Sequence, residues 1–166
     1  MSTQLHPLPI RPEDEPAMVK FHETLSERSV YLRYFHLMNL SQRTSHERLT
    51  RICFIDYDRE MALVGTLTGD EGKEVQIGVA RYVVNPDGES VEFALAVSDA
   101  WQKSGVGRKL MTALIDCARQ KGYRAVVGDV LSTNGKMFNL MTSLGFTIHP
   151  HPDDVAVKRV IKPLTG

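Results

Sequence analysis

The segment between residues 91 and 130 constrains the fold more than any other part of the chain. A strand pattern at residues 91–97 precedes an amphipathic helix pattern, and a second strand pattern follows at residues 124–130. The apolar positions of the helix recur at helical spacing and are Val106, Leu110, Met111, Leu114, Ile115 and Ala118. Strands joined through a helix lie parallel in one sheet, with a right-handed crossover. The segment therefore predicts a parallel crossover inside a mixed α/β domain.

The remaining patterns place most helices before this crossover and strands on both sides of it. Helix starts are predicted at Pro12, at Ser26, at the capping-box residue Thr44, and at Ser132, Thr133 or Asn134. Further strands are predicted at residues 61–67, 75–84, 146–148 and 155–161, with a short one within residues 5–10. Turns are predicted at residues 69–72 and 85–88. This order predicts a sheet with antiparallel and parallel parts.

The composition limits the classes of function that are open to the chain. Its 166 residues fit one domain, predicted to span residues 1–166, and 42% of them are hydrophobic. Because 20 basic residues balance 20 acidic ones, long-range attraction to nucleic acid or to a membrane does not organise its function. Two cysteines, Cys53 and Cys117, exclude a disulfide-rich scaffold and a four-thiolate zinc site. No signal-peptide or membrane-span pattern is present, so we expect a cytoplasmic protein.

The first candidate site is the junction before the amphipathic helix. Gly105 and Gly107 let the backbone approach a ligand, and the first amides of the helix have no partners within it. Together with the helix dipole, and with positive charge from Lys103 and Arg108, they favour a phosphate or pyrophosphate. A Rossmann site fits poorly, because Leu110 occupies its third glycine position, and a P-loop fits worse. The alternative is an ordinary glycine-containing loop without a ligand.

The second candidate site is Glu92, which stands in an otherwise apolar strand. A carboxylate there costs free energy unless it has a partner or a chemical role. If the turn at residues 85–88 is type I with a bulge at Gly88, Tyr82 lies opposite Glu92. Burial would raise the pKa of Glu92 towards the range of a general base. A hydrogen bond to Tyr82 or an ion pair with an arginine is the structural alternative.

The same register would place small residues together on one face of the hairpin. Ala80 would lie opposite Ala94, and Gly78 opposite Ala96, while the large side chains share the other face. A face of such small side chains predicts the close approach of either a ligand or a packed helix.

Asn134 is the third candidate, because it stands at a helix start beyond the next parallel strand. Its side chain is expected to cap that helix, and it can also face a ligand that lies between the two parallel strands. His149 and His151 lie in a loop bracketed by prolines, without Cys or carboxylate neighbours at metal-ligand spacing. We therefore expect no metal site.

Taken in order along the chain, these motifs resemble the GNAT (Gcn-related N-acetyltransferase) superfamily. Its signature loop, Gln/Arg-x-x-Gly-x-Gly/Ala, is matched by residues 102–107, and its later Asn and Gly-Phe pair by Asn134, Gly145 and Phe146. The resemblance covers roughly residues 5–161. It implies the GNAT fold, a mixed and mostly antiparallel central sheet of six to seven strands with helices on both faces. It also implies N-acetyl transfer from acetyl-CoA as cosubstrate, without a metal.

Within that superfamily the chain is most similar to the bacterial Pat-type protein lysine acetyltransferases. The residues that carry this narrower resemblance lie at 25–33, 55–64 and 91–94. They imply that the acceptor is a lysine ε-amine of a protein. A small amine, such as a polyamine, amino acid or antibiotic, is the alternative acceptor, and a non-catalytic CoA-sensing module is the alternative class. The sequence does not distinguish a monomer from a dimer.

The resemblance also implies roles for individual residues. Glu92 matches the glutamate that Pat-type enzymes use as general base, often through water. The strand end would hold the pantetheine arm, the loop amides the pyrophosphate, and the asparagine the region near the thioester. These cofactor-binding residues are Leu95, Ala96, Val97, Gln102, Lys103, Ser104, Gly105, Val106, Gly107, Arg108 and Asn134. Met141 stands where many small-molecule GNAT enzymes have a proton-donating tyrosine, so no general acid is assigned.

Overall fold

The computed structural model describes residues 5–34, 40–68, 74–102 and 104–164. Its strands are β1 (His6–Pro9), β2 (Glu60–Thr68), β3 (Glu74–Val84), β4 (Ser90–Val97), β5 (Ala125–Leu131), β6 (Thr147–Pro150) and β7 (Val157–Pro163). Its helices are α1 (Glu15–Glu23), α2 (Glu27–Tyr34), α3 (Leu40–Arg43), α4 (His46–Cys53), α5 (Val106–Gln120) and α6 (Gly135–Ser143). The strands form one sheet in the order β1-β2-β3-β4-β5-β7-β6. All neighbouring pairs are antiparallel except β4 and β5, which confirms the predicted sheet.

Helices cover the sheet on both faces, as the resemblance implied. On one face, α5 packs against the centre of the sheet with a buried stripe that includes Leu110, Met111 and Leu114. On the other face, α1 and α4 enclose a second core that contains Phe21 and Leu49. Burying one such side chain contributes about 1.5–3 kcal/mol, so the two cores hold the three layers together. Across the described ranges, no helix has the length and apolarity to cross a membrane.

The parallel strands β4 and β5 separate soon after they meet. Their ladder begins with Ser90 opposite Ala125 and ends with Glu92 opposite Val127. Beyond that point β4 continues to Val97, and β5 also continues, without further pairing between them. Because α5 connects these two strands, the predicted parallel crossover is confirmed. The separation leaves an opening in the sheet at the carboxyl ends of both strands.

The hairpin of β3 and β4 differs from the sequence prediction by one residue. Glu92 lies opposite Val83 rather than Tyr82. The reason is the Asp87 carboxylate, which accepts hydrogen bonds from the backbone amide of Ser90 (2.9 Å) and from its hydroxyl. These bonds stabilise a connection one residue longer than the predicted turn. The other observed partners are Phe93 for Tyr82, Leu95 for Ala80, Ala94 for Arg81, Ala96 for Val79 and Val97 for Gly78.

This shift moves the small residues onto different faces of the sheet. Ala94 and Ala96 share a face with Glu92, whereas Gly78 lies on the opposite face, beneath α5. A Cβ atom on Gly78 would lie 2.7 Å from Leu110, so the close neighbour there is the helix. The predicted face of small side chains is therefore wrong.

Side-chain caps mark the starts of α2 and α4, with one correction to the prediction. Ser26 precedes α2 and accepts a hydrogen bond from the Ser29 amide at 3.1 Å. Ser45, not the predicted Thr44, caps α4 by accepting from the Arg48 amide at 3.3 Å. Thr44 instead donates its hydroxyl hydrogen to a backbone carbonyl in the preceding turn. The turn predicted at residues 69–72 lies outside the described residues.

Candidate active site

The N-terminus of α5 presents backbone amides towards the opening in the sheet. Gly105 occupies the N-cap with a φ of +87°, a left-handed conformation that a side chain would strain. The first helical hydrogen bond runs from the Lys109 amide to the Gly105 carbonyl at 3.1 Å. The amides of Val106, Gly107 and Arg108 precede that bond, and no side chain caps the helix. Together with the helix dipole, they form a site suited to an anion.

The hydrogen bonds of the hairpin determine which groups of β4 face the opening. The Asn85 amide donates to Ser90, and the Ser98 amide donates to Ile77, at 2.9 and 2.8 Å. Antiparallel ladders alternate between bonded and non-bonded residue pairs. The residues of β4 that bond to β3 are therefore Glu92, Ala94 and Ala96.

Leu95 and Val97 consequently direct their backbone amides and carbonyls towards β5, on the side where the strands separate. The Val97 carbonyl accepts a hydrogen bond from the Gln102 side chain at 3.0 Å. The same Gln102 amide nitrogen also donates to the Ser29 hydroxyl at 2.9 Å. Gln102, the first residue of the signature loop, therefore links that loop to both β4 and α2 through hydrogen bonds.

A first cavity of about 470 Å³ lies between α2, the end of β4 and the N-termini of α5 and α6. Ser104 and Val106 do not line it: Ser104 bonds to the Trp101 carbonyl, and Val106 packs into the core. Lys103 lies outside the described residues. The predicted cofactor residues that line this cavity are Leu95, Ala96, Val97, Gln102, Gly105, Gly107, Arg108 and Asn134.

A second cavity of about 420 Å³ adjoins the first and contains Glu92. Both are lined by Leu95, by Asn134 and Met137 of α6, and by Leu32 and Arg33 of α2. The two cavities therefore form one groove that runs from the N-terminus of α5 to Glu92. The structure brings together on this groove the three candidate sites that the sequence placed far apart.

Glu92 itself is exposed to solvent, so the expected burial of its carboxylate is wrong. Tyr82 points to the opposite face and is fully buried, which excludes the predicted hydrogen bond between them. Burial also raises the pKa of Tyr82 to about 12. Among the described residues, no ion pair involves Glu92 within 4 Å. Within the part of the chain that the structure describes, neither a hydrogen bond to Tyr82 nor an arginine ion pair within 4 Å accounts for this carboxylate, which lines the second cavity.

Asn134 caps α6, as its position predicted. Its side-chain oxygen accepts a hydrogen bond from the Met137 amide at 3.3 Å, which confirms it as the N-cap of α6. It also lines both cavities, at the point where they meet. Met141, at the position of the proton-donating tyrosine, is fully buried in the core and lines neither cavity.

The contribution of α2 to the groove was missed by the sequence analysis. Arg28 and Arg33 line the first cavity, although they lie far from the signature loop along the chain. The Asp99 carboxylate joins the two segments, since it accepts from the Ser26 amide and from the Ser29 hydroxyl, both at 3.0 Å. No local pattern indicates this pairing, because it joins residues that are 70 and 73 positions apart.

The described residues contain no group of three or more His, Cys, Asp and Glu side chains that could hold a metal. His149 contacts the Thr147 hydroxyl at 2.7 Å. His151 lies 3.6 Å from the Asp129 carboxylate. Both histidines thus have polar neighbours, His149 on its own strand β6 and His151 on β5.

Comparisons with known proteins agree with this geometry. The sequence model of the Acetyltransferase (GNAT) family matches residues 29–146. An acetyltransferase of Pseudomonas aeruginosa is 31% identical over 146 residues, which cover 88% of this chain and 76% of that protein. The L-methionine sulfoximine/L-methionine sulfone acetyltransferase of Salmonella typhimurium is 41% identical over 69 residues, covering 42% of this chain and 40% of that protein.

The fold is also similar to a solved structure over nearly its whole length. The crystal structure of the GNAT domain of S. lividans PAT superimposes with a TM-score of 0.83 and 26% sequence identity. The match covers 97% of this chain and 90% of that domain.

Proposed function

This chain belongs to the acetyltransferase (GNAT) family, and on that premise we propose that it acetylates protein lysine ε-amines. Members of this family take the acetyl group from acetyl-CoA. The observation that carries the proposal is the groove with an anion site at one end and Glu92 at the other. Such a groove suits a long cosubstrate that is anionic at one end and reactive at the other. The expectation of a cytoplasmic protein stays part of the proposal.

The backbone groups around the first cavity would hold acetyl-CoA. The amides of Val106, Gly107 and Arg108, which precede the first hydrogen bond of α5, would donate to the pyrophosphate. A Cβ atom on Gly107 would lie 3.3 Å from the end of the Leu95 side chain, so a larger residue there would require Leu95 to shift. Leu95 and Val97 would bond the pantetheine arm through their amides and carbonyls. Asn134, at the junction of the cavities, would lie near the thioester.

Glu92 would act as the general base. A lysine ammonium has an ordinary pKa of about 10.4, so at neutral pH it must lose a proton before it can attack. In the proposed reaction, the Glu92 carboxylate takes that proton, directly or through a water molecule. The neutral amine then forms a bond to the thioester carbonyl carbon, the carbon–sulfur bond breaks to release the coenzyme A thiolate, and the nitrogen loses its second proton to solvent. The chain supplies no assigned acid for the leaving thiolate, because Met141 cannot donate a proton.

Two observations support a protein as the acceptor. The sequence resembles the Pat-type protein lysine acetyltransferases, and the fold is similar to the GNAT domain of S. lividans PAT. In addition, Glu92 is exposed, and its cross-strand neighbour Val83 exposes 45% of its surface. A lysine side chain that projects from a macromolecule can reach a base in such a position.

A small amine is the second candidate acceptor. The 69-residue likeness to an enzyme named for L-methionine sulfoximine and L-methionine sulfone favours it. A non-catalytic CoA-binding module is less well supported, because it gives Glu92 no reason to lie in the second cavity.

The deciding experiment offers both kinds of acceptor to the same enzyme. Native proteins and a panel of polyamines, amino acids and amino-acid analogues are incubated with acetyl-CoA, and acetylated products are identified by mass spectrometry. We expect acetyl-lysine in proteins, and far less of it when Glu92→Gln replaces the wild type. Acetylation confined to small amines would support the second candidate and contradict the first.

A further inference from the structure

A second carboxylate shares the cavity of Glu92. Asp129 lies on β5, two residues beyond Val127, which is the register partner of Glu92. Paired residues of a parallel ladder point to the same face, and so do residues two apart in one strand. Asp129 and Glu92 are therefore diagonal neighbours on one face of the sheet, and both line the second cavity.

The hydrogen bond that holds Asp129 comes from β7, which lies on the side of β5 away from β4 and Glu92. Arg159 lies directly opposite on β7 and donates its Nε hydrogen to Oδ1 of Asp129 at 3.1 Å. His151 places Nε2 at 3.6 Å from the other oxygen, Oδ2, beyond hydrogen-bond distance. Among the described residues, none donates a hydrogen bond to Oδ2. A carboxylate oxygen can accept two hydrogen bonds, so Oδ2 keeps its capacity for a ligand.

The charge of the cavity explains why a second carboxylate is useful there. Arg33 and Arg81 also line it, so without Asp129 its lining would hold two cationic side chains and one carboxylate. Glu92 alone would have to attract the acceptor ammonium and accept its proton. With Asp129 beside it, one carboxylate can bind the ammonium while the other accepts the proton.

We propose that Asp129 binds the acceptor ammonium through Oδ2 and presents it to Glu92. This inference rests on the proposed function, since it assumes an amine acceptor in the second cavity. Asp129 keeps its negative charge throughout, and the proton passes from the ammonium nitrogen to Glu92. The side chain of Asp129 is 22% exposed, so an entering amine can reach it.

Binding of two matched ligands tests the inference without relying on turnover. The probes are the amides of Nα-acetyl-lysine and Nα-acetyl-norleucine, which differ in the terminal ammonium. Each is titrated calorimetrically into the CoA-bound protein. We expect the wild type to prefer the lysine probe by about tenfold, as for one charge-assisted hydrogen bond, and Asp129→Asn to lose most of that preference.

The ion pair between Asp129 and Arg159 supplies the matched control. Asp129→Asn and Arg159→Gln break the same pair, but only the first removes the carboxylate. Arg159→Gln keeps a neutral donor next to Oδ1 and should retain the preference for the lysine probe. Asp129→Glu, which keeps the charge, should retain part of it. Similar CoA affinity and unfolding temperature in each variant show that the fold is intact.

Two results would overturn the inference. One is an undiminished preference for the lysine probe in Asp129→Asn. The other is an equal loss in Arg159→Gln, which would mean that Asp129 only anchors β5 to β7. The proposed function fails by a different observation, namely that wild-type protein with acetyl-CoA acetylates no lysine. Glu92→Gln should lower turnover severely while it retains the preference for the lysine probe, which separates the base from the residue that binds the ammonium.

Discussion

The two ends of the groove are built from different parts of the chain. At the N-terminus of α5 the available groups are backbone amides and carbonyls, placed by one glycine with positive φ and by the separation of β4 from β5. At the other end the available groups are side chains, Glu92 and Asp129, placed by the register of four strands, β3, β4, β5 and β7. The first end depends on local conformation and the second on long-range pairing. The two ends should therefore respond to different substitutions.

The largest expected effect belongs to the side-chain end. Glu92→Gln keeps the size of the side chain but removes its ability to take a proton. We expect turnover to fall by about 10²–10⁴-fold, the usual contribution of a positioned general base. Acetyl-CoA affinity, measured by calorimetry, should stay within twofold. Equal turnover in the variant, followed by thiol release, would remove Glu92 from the role of base.

Gly105→Val tests the backbone end. A side chain at a φ of +87° costs about 1–2 kcal/mol, although a Cβ there meets nothing within 4 Å. We expect the helix terminus to change conformation and CoA affinity to fall by about tenfold or more.

Gly122→Val is the matched control for that substitution. Gly122 follows α5 with a φ of +86° and equally open space. The Gly122→Val variant should lose as much stability in thermal unfolding as Gly105→Val does, and it should keep its CoA affinity. An equal loss of affinity in both variants would show that general destabilisation, not the anion site, is responsible.

Asp99→Ala tests the link between α2 and the loop, with a smaller expected effect. Removing the acceptor for Ser26 and Ser29 should loosen one wall of the first cavity and weaken CoA binding by about fivefold. Burial raises the pKa of Asp99, but the hydrogen bonds from Ser26 and Ser29 outweigh it and lower the pKa below the ordinary value of 3.8. A lowered pKa gives stability that is present above 3.8 and lost as the pH falls further. The difference in unfolding free energy between Asp99→Ala and the wild type should therefore be constant from pH 5 to pH 8.

Tyr82→Phe should have the smallest effect and separates the observed register from the predicted one. In the observed register the hydroxyl is buried on the α5 face, without a hydrogen-bond partner among the described residues. Its removal should leave turnover unchanged and alter unfolding free energy by less than about 1 kcal/mol. A clear loss of turnover would place Tyr82 beside Glu92, as in the predicted hairpin.

The same contrast explains what the sequence could and could not predict. The amphipathic stripe of α5, the glycine before it and the cap at Asn134 follow from local rules, and the structure confirms them. The hairpin register was wrong because the Asp87 side chain bonds to backbone amides and lengthens the turn. A shift of one residue then exchanged the two faces of the sheet.

The environment of the carboxylates could not be predicted for a related reason. The exposure of Glu92 depends on which helices cover its face, and α1 and α4 lie over a different part of the sheet. The position of Asp129 next to Glu92 depends on where β4 and β5 stop pairing, and no local pattern indicates that point. Long-range packing and pairing decide both features.

A crystal structure with bound coenzyme A tests the central claim most directly. The account predicts that the diphosphate lies within hydrogen-bond distance of the Gly107 and Arg108 amides. It also predicts that the pantetheine arm follows Leu95 and Val97, with the sulfur pointing towards Glu92. A diphosphate bound away from the N-terminus of α5, or an arm that leaves the groove before Asn134, would contradict it.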